Sequence, residues 1–302
     1  MKVSRRDFLQ SASTAIGAAL LDRKSSPDEL EKTIKEIRAN LFEMINEERE
    51  VEKVPTVELD ELATEVATKH ALDMVRGAFA SHWGRDGFKP YHRYSFAGGT
   101  DSTAENISAA DNTWSTKSDA LKLDTAYLHV RLYQEKPPND GHRKTILAPH
   151  YTHVGLGIAV YELRLRLVEL FVSRHVDVRP IVREWKPGDS VIIAGKIRKG
   201  YGLNYVEVFY EPLPLARDVN WLNSTRSYSL PNESMILRPK APPPFKYADG
   251  VEGVVDFFDD GGFLAPIKLY KNEPGIYTIV AWISGARSVE PFQATNVCVK
   301  AL

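Results

Sequence analysis

The sequence predicts an α+β unit over residues 26–178 followed by an antiparallel β-sandwich over residues 179–302. Three observations carry that division. Apolar residues recur at helical spacing through the first part, and near Arg179-Pro180 that period gives way to short alternating runs separated by turn clusters. The length, 302 residues, is enough for two units that each bury a core.

The first helix is predicted from Ser26-Pro27-Asp28-Glu29, which combines an N-cap, a proline at the first helical position and a capping glutamate. Leu30, Ile34, Ile37, Leu41, Met44 and Ile45 then mark one buried stripe. A second helix is written by Leu59, Leu62, Val66, His70 and Met74, with Gly77 as its left-handed stop. Residues 78–114 read as loops around a short helix near 103–110. A third helix is expected near residues 117–135, ended by Pro137-Pro138-Asn139-Asp140-Gly141, and two paired strands over 154–161 and 165–172. In the second unit, strands are expected over 190–197, 205–210, 251–258 and 276–283, with turns at Pro187-Gly188-Asp189 and Asp259-Asp260-Gly261-Gly262. The proline-rich run 239–244 is expected to cross between the sheets or to divide two smaller β units.

Composition narrows the function classes. With 39 basic and 40 acidic residues there is no basic field to collect phosphates, so nucleic-acid binding is not expected. Cys298 is the only cysteine, which excludes an intrachain disulfide, a Cys-x-x-Cys pair and a cysteine-rich zinc site; it reads as a small buried hydrophobe in a terminal strand. The opening Ser4-Arg5-Arg6-Asp7-Phe8-Leu9 precedes a mild apolar run over 11–21 and resembles a twin-arginine export signal, so residues 1–25 are read as signal and linker. That run is shorter than the roughly 20 residues a membrane-spanning helix needs, and no longer one follows, so a transmembrane segment is not expected and the product belongs outside the cytoplasm, periplasmic or secreted.

Three segments place polar groups beside apolar neighbours, as side chains turned toward a shared cleft would be. They are Ala80-Ser81-His82-Trp83, Ala104-Glu105-Asn106-Ile107 and the run from Asp140-Gly141-His142-Arg143 to Lys144-Thr145-Ile146-Leu147. Any one alone is ordinary, since a single histidine or glutamate is commonly a hydrogen-bonded or solvated residue. Together, and followed by Pro149 and by Thr152-His153-Val154-Gly155-Leu156-Gly157, they resemble the CAP superfamily of cysteine-rich secretory, antigen 5 and pathogenesis-related proteins, in its bacterial SCP-like form. The resemblance covers about residues 37–176. It implies a three-layer α-β-α sandwich, export, and a cleft lined by histidines and acidic residues that in some members hold a divalent metal.

His82, Glu105 and His142 match that cleft residue by residue. The family's second glutamate falls at Ala126-Tyr127-Leu128-His129-Val130, which puts His129 in its place; Glu135 and Asp124 are the alternatives under a small register shift. Two neutral imidazoles and a carboxylate suit a borderline ion such as zinc, with one position left open. The favoured reading is an exported protein whose cleft binds a lipid, glycan or protein ligand, directly or through such an ion. Rival readings are a metal-dependent hydrolase acting on peptide or cell-envelope material, and an envelope scaffolding or adhesion protein. No Gly-x-Ser-x-Gly, His-Glu-x-x-His or phosphate loop is present, and Ser81 adjacent to His82 points to the opposite face of an extended chain, so no enzyme class is assigned.

Overall fold

The computed structural model describes residues 26–113, 117–225, 227–285 and 290–302; the export-signal reading of residues 1–25 lies outside them. Helix α1 (Pro27–Val51) starts at the expected cap, the Ser26 hydroxyl accepting the Glu29 N–H at 3.2 Å. Ile37, Leu41 and Ile45 are buried along its inner stripe, with Leu30, Ile34 and Met44 at its margin. Strand β1 (Glu58–Leu59) and helix α2 (Glu61–Gly77) follow. Leu59 lies in β1 and is exposed, because Asp60 caps α2 by accepting the Ala63 N–H at 2.6 Å and so fixes the helix start after it. The left-handed residue that ends α2 is Ala78, with φ 54°, rather than Gly77. At Gly77 an added Cβ would stand 2.7 Å from the Phe79 ring, so that glycine answers a close approach.

A helix α3 (Pro90–Phe96) was not foreseen, and the short helix expected near 103–110 is instead strand β2 (Ser102–Asp111). Helices α4 (Ser118–Tyr133) and α5 (Gly141–Leu147) and strands β3 (His153–Tyr161) and β4 (Arg164–Ser173) complete the first unit. The sheet order is β1-β3-β4-β2, with β2 at an edge. Strand β2 pairs antiparallel with β4 along its whole length, from Ser102↔Ser173 to Asp111↔Arg164. That ladder overrides the modest local preference of its Ala, Glu, Asn and Ser residues.

Strand alternation divides the core between two faces of the sheet. Val154, Leu156, Ile158, Leu165, Leu167 and Phe171 pack toward α1 and α4, whereas Val168, Leu170 and Val172 pack toward α2. The result is the three-layer α-β-α sandwich. On the α2 side, β3 presents Gly155 and Gly157, where an added Cβ would stand 2.2 Å from the backbone of Ala63 and Ala67 respectively. The helix therefore lies directly on the strand.

In the second unit β5 (Val176–Val178), β7 (Ser190–Ile197), β10 (Asp256–Phe257) and β11 (Gly262–Lys268) form one sheet, in the order β10-β11-β7-β5. The other contains β6 (Glu184–Trp185), β8 (Tyr201–Pro212), β9 (Ser234–Leu237), β12 (Gly275–Gly285) and β14 (Val297–Ala301), in the order β6-β14-β12-β8-β9, with β13 (Phe292–Gln293) also on β12. Their inner faces meet in one core that includes Val191, Ile193, Phe263 and Ile267 against Val208, Tyr277, Ile279 and Val299, a β-sandwich. Sheet membership changes between β4 and β5, at residues 174–175. The expected strand over 251–258 shortens to β10, and the proline run lies between β9 and β10 where the chain passes from one sheet to the other.

The two units pack closely. Cys298, on β14, is fully buried with Ile276 against Tyr91 of α3, and burial pushes its thiol up to about 12, which makes it inert. Its backbone N–H donates to the Ser95 hydroxyl at 2.8 Å, and Arg183 donates to Ser95, Gly99 and the Cys298 carbonyl.

The α2–β3 contact makes a direct prediction. Gly157→Ala puts a methyl group into the backbone of Ala67 and is expected to destabilise the chain by at least about 1–3 kcal/mol in denaturant unfolding. An unchanged midpoint would contradict this account of the packing.

Candidate functional site

The site gathers around edge strand β2, whose consecutive residues serve opposite faces of the sheet. Glu105 is almost fully buried, and its two oxygens have separate partners. His82 Nδ1–H donates to Oε1 at 2.9 Å and the Arg93 guanidinium, brought by α3, donates to Oε2 at 2.7 Å. Burial alone would raise this carboxyl; Arg93, with His70 and His82, holds it down at about 2. Arg93 also donates to the carbonyls of His82 and Phe88, so it fixes the loop that carries His82 as well as the acid beneath it. His70 of α2 lies 4.0 Å from Glu105 and donates from Nε2 to the Ser81 carbonyl at 2.8 Å. Complete burial pushes its imidazole down to about 4, so it is neutral.

His142, the second residue of α5, is held by Glu135, two residues past the end of α4. Its Nδ1–H donates to one carboxylate oxygen at 2.6 Å and its backbone N–H to the other at 3.0 Å. Asn106 points to the opposite side of β2 from Glu105 and donates to the His142 carbonyl at 3.2 Å. His82 and His142 thus each have a carboxylate on Nδ1, and both line one cleft of about 430 Å³. Ser108, Arg131, Glu135, Asn223 and Thr225 contribute its other polar groups.

Of the four residues read from the sequence as metal ligands, His82 and His142 share the cleft, and Glu105 lies under His82. His129 is elsewhere. It is fully buried between α1 and the sheet, where Nδ1–H donates to Glu169 at 2.6 Å and Nε2–H to Glu48 at 3.0 Å. Both ring nitrogens are committed, and Glu135, one of the two alternatives, occupies the position beside His142 instead. The reason is helical phase: position 129 of α4 faces the sheet, whereas Arg131 and Leu132 on the same helix line the cleft and the carboxylate beside His142 comes two residues after the helix ends.

The residues present do not fit the three-ligand metal centre expected of two imidazoles and a carboxylate. Glu105 has no oxygen without a donor, and one of those donors is an arginine whose charge opposes a second cation at the same carboxylate. Among the described residues no group of three or more His, Cys, Asp or Glu side chains is placed to hold an ion. What two oriented imidazoles and a cation can do is donate and accept hydrogen bonds at fixed positions.

Arg93, Asn223 and Tyr228 have no signal in the sequence that marks them for this site. Arg93 sits on the unforeseen helix α3. The other two arrive from the second unit on a segment that includes helix α6 (Val219–Ser224). Tyr228 lays its ring 4.8 Å from His82 and its hydroxyl accepts the Glu105 N–H at 3.0 Å.

The His129 network predicts an alkaline loss of stability. Burial would lower this imidazole, but Glu169 and Glu48 raise it to about 10, above its ordinary value. The stabilisation from its charge is therefore complete below about pH 6.5 and is lost as pH rises towards 10. Unfolding free energy should fall across that range by up to about 1.4 kcal/mol per pH unit, and His129→Gln should remove that slope. Equal slopes in both proteins would contradict the assignment.

One family model and several solved structures match part of this chain. The model of the cysteine-rich secretory protein family, CAP, matches residues 42–172. A solved extracellular protein containing an SCP domain from Bacillus anthracis str. Ames is 23% identical, over 52% of this chain and 45% of that one, with a TM-score of 0.36. An outer surface protein from Borrelia burgdorferi is 17% identical, over 51% of this chain and 99% of that one, with a TM-score of 0.39. A cysteine-rich secretory protein from Staphylococcus aureus subsp. aureus Mu50 is 16% identical, over 50% and 42%, with a TM-score of 0.32. The chain spans less than half the length of the first and third of these. No curated protein matches it. The family match thus falls within the α-β-α unit that carries the cleft.

Proposed function

We propose that this CAP-domain protein is exported and that the His82/His142 cleft binds a polar ligand by hydrogen bonding. The observation that carries the reading is the pair of imidazoles lining one cleft, each oriented by its own carboxylate. A volume of about 430 Å³ falls within the range of small-molecule and short-segment sites. A carboxylate on Nδ1 sets the ring plane and leaves Nε2 as the nitrogen that meets a ligand. Arg131 adds a cation at the same wall, which favours a ligand with carbonyl or anionic oxygens.

Hydrolysis is the weaker reading. Glu105, the acid nearest His82, is held at about 2 and is already bonded by His82 and Arg93, so it makes a poor general base near neutrality. Export rests on the Arg5-Arg6 pair and the short apolar run that follows it.

Native mass spectrometry of the protein recovered from its own compartment tests the binding reading. A stoichiometric adduct is expected on the wild type and its loss on the His82→Ala, His142→Ala double variant; a bare wild type, or an adduct that both proteins keep, contradicts it. Zinc is expected to bind no tighter than about 10 μM in calorimetric titration, and a closed centre of nanomolar affinity would overturn the ion-free reading. Replacing Arg5 and Arg6 with lysine should leave precursor inside the cell, and undiminished export would contradict the twin-arginine route.

A further inference from the structure

We propose that residues 217–225 and 227–230 occupy the CAP cleft as a built-in competitor, and that the ligand of this cleft is an extended peptide segment carrying a side-chain amide and a phenol ring. The proposal rests on the reading of the cleft as a binding site and names the class of ligand it takes.

Connectivity is the first argument. Strands β8 and β9 are hydrogen-bonded antiparallel neighbours, a relation that a loop of two to five residues can close. Here residues 213–233 intervene in the sequence, and among the described ones Arg217, Asn223, Tyr228 and Ser229 bond to the CAP domain rather than to their own sheet. Loops this long inside a compact fold commonly carry function.

The contacts are those of a ligand. Asn223 Oδ1 accepts the Ala80 N–H at 3.0 Å, and the Tyr228 hydroxyl accepts the Glu105 N–H at 3.0 Å. Those two backbone donors belong to the segments that carry His82 and its carboxylate. The Tyr228 ring covers His82, and the Trp221 ring meets Trp83 edge-on at 5.6 Å. Leu222 is fully buried, seated with Phe79 and Met74 in the core beside α2. Elsewhere the Arg217 N–H donates to the Arg85 carbonyl, and Lys89 donates to the Ser229 carbonyl.

The strap covers one histidine and leaves the other accessible. The His82 side chain is 6% exposed under Tyr228, whereas that of His142 is 34% exposed. Asn223 and Thr225 form one wall of the cleft that remains, so a segment entering beside His142 meets the strap edge first and can replace its contacts in turn.

The experiment adds a synthetic peptide with the sequence of residues 217–230 to the intact protein and follows amide hydrogen exchange. Exchange in residues 217–225 is expected to accelerate at least tenfold at millimolar peptide, with strands β8 and β12 unchanged. The same peptide with alanine in place of its tyrosine should have no effect. In a second arm, the full chain carrying Asn223→Ala and Tyr228→Ala should bind fluorescent peptide at least tenfold more tightly than wild type. Unchanged exchange in the first arm overturns the proposal, whether or not the second variant folds. A native adduct that depends on His82 and His142 but survives saturating peptide would keep the cleft as a binding site while removing peptide as its ligand.

Discussion

A buried carboxylate with two cationic or polar neighbours holds this site together. Glu105 on β2 is out of water, so it is tolerated only because Arg93 and His82 each take one of its oxygens. Three consecutive pieces of chain are thereby fixed to one another: the loop after α2, helix α3 and the edge strand. Arg93 extends the clamp to the carbonyls of His82 and Phe88, and the strap from the second unit is attached to the backbone of the same Glu105. Removing Arg93 would leave one oxygen of the buried Glu105 carboxylate without its charged donor.

The second imidazole is positioned by a separate but connected network. Glu169, deep in the sheet, accepts from both His129 and Asn106, and Asn106 also donates to the His142 carbonyl. Alternation along β2 explains why neighbouring residues can do this. Glu105 faces α2 with Leu170 as its cross-strand partner, and Asn106 faces α1 and α4 with Glu169. One strand thus organises both histidines, from its two sides. The same alternation in β3 places Gly155 and Gly157 under α2, which keeps the loop that follows that helix close to β2.

Much of this was legible from residue order, for reasons that differ from element to element. Helix α1 is marked by its cap and its stripe, and β3 and β4 by runs of branched residues, because local chemistry and final burial agree there. Strand β2 was misread because Thr103-Ala104-Glu105-Asn106 has no strand character of its own and depends on a partner more than 50 residues away. His129 was misplaced because the histidine occurs at a helical position that faces the sheet, while the carboxylate that meets His142, Glu135, comes after the helix ends. Tyr228 and Asn223 could not be anticipated at all. Their role is created by a loop that leaves one unit to cover the other, and neither residue stands in a recognisable pattern.

The account rests on two imidazoles whose Nδ1 atoms are tied to carboxylates. Long-range nitrogen–proton spectra of the histidine-labelled protein near neutral pH read that directly. Protonated Nδ1 is expected on both His82 and His142, with the His82 proton exchanging more slowly because Tyr228 covers it. An unprotonated Nδ1 on either ring would contradict the carboxylate contacts and, with them, the orientation of the cleft.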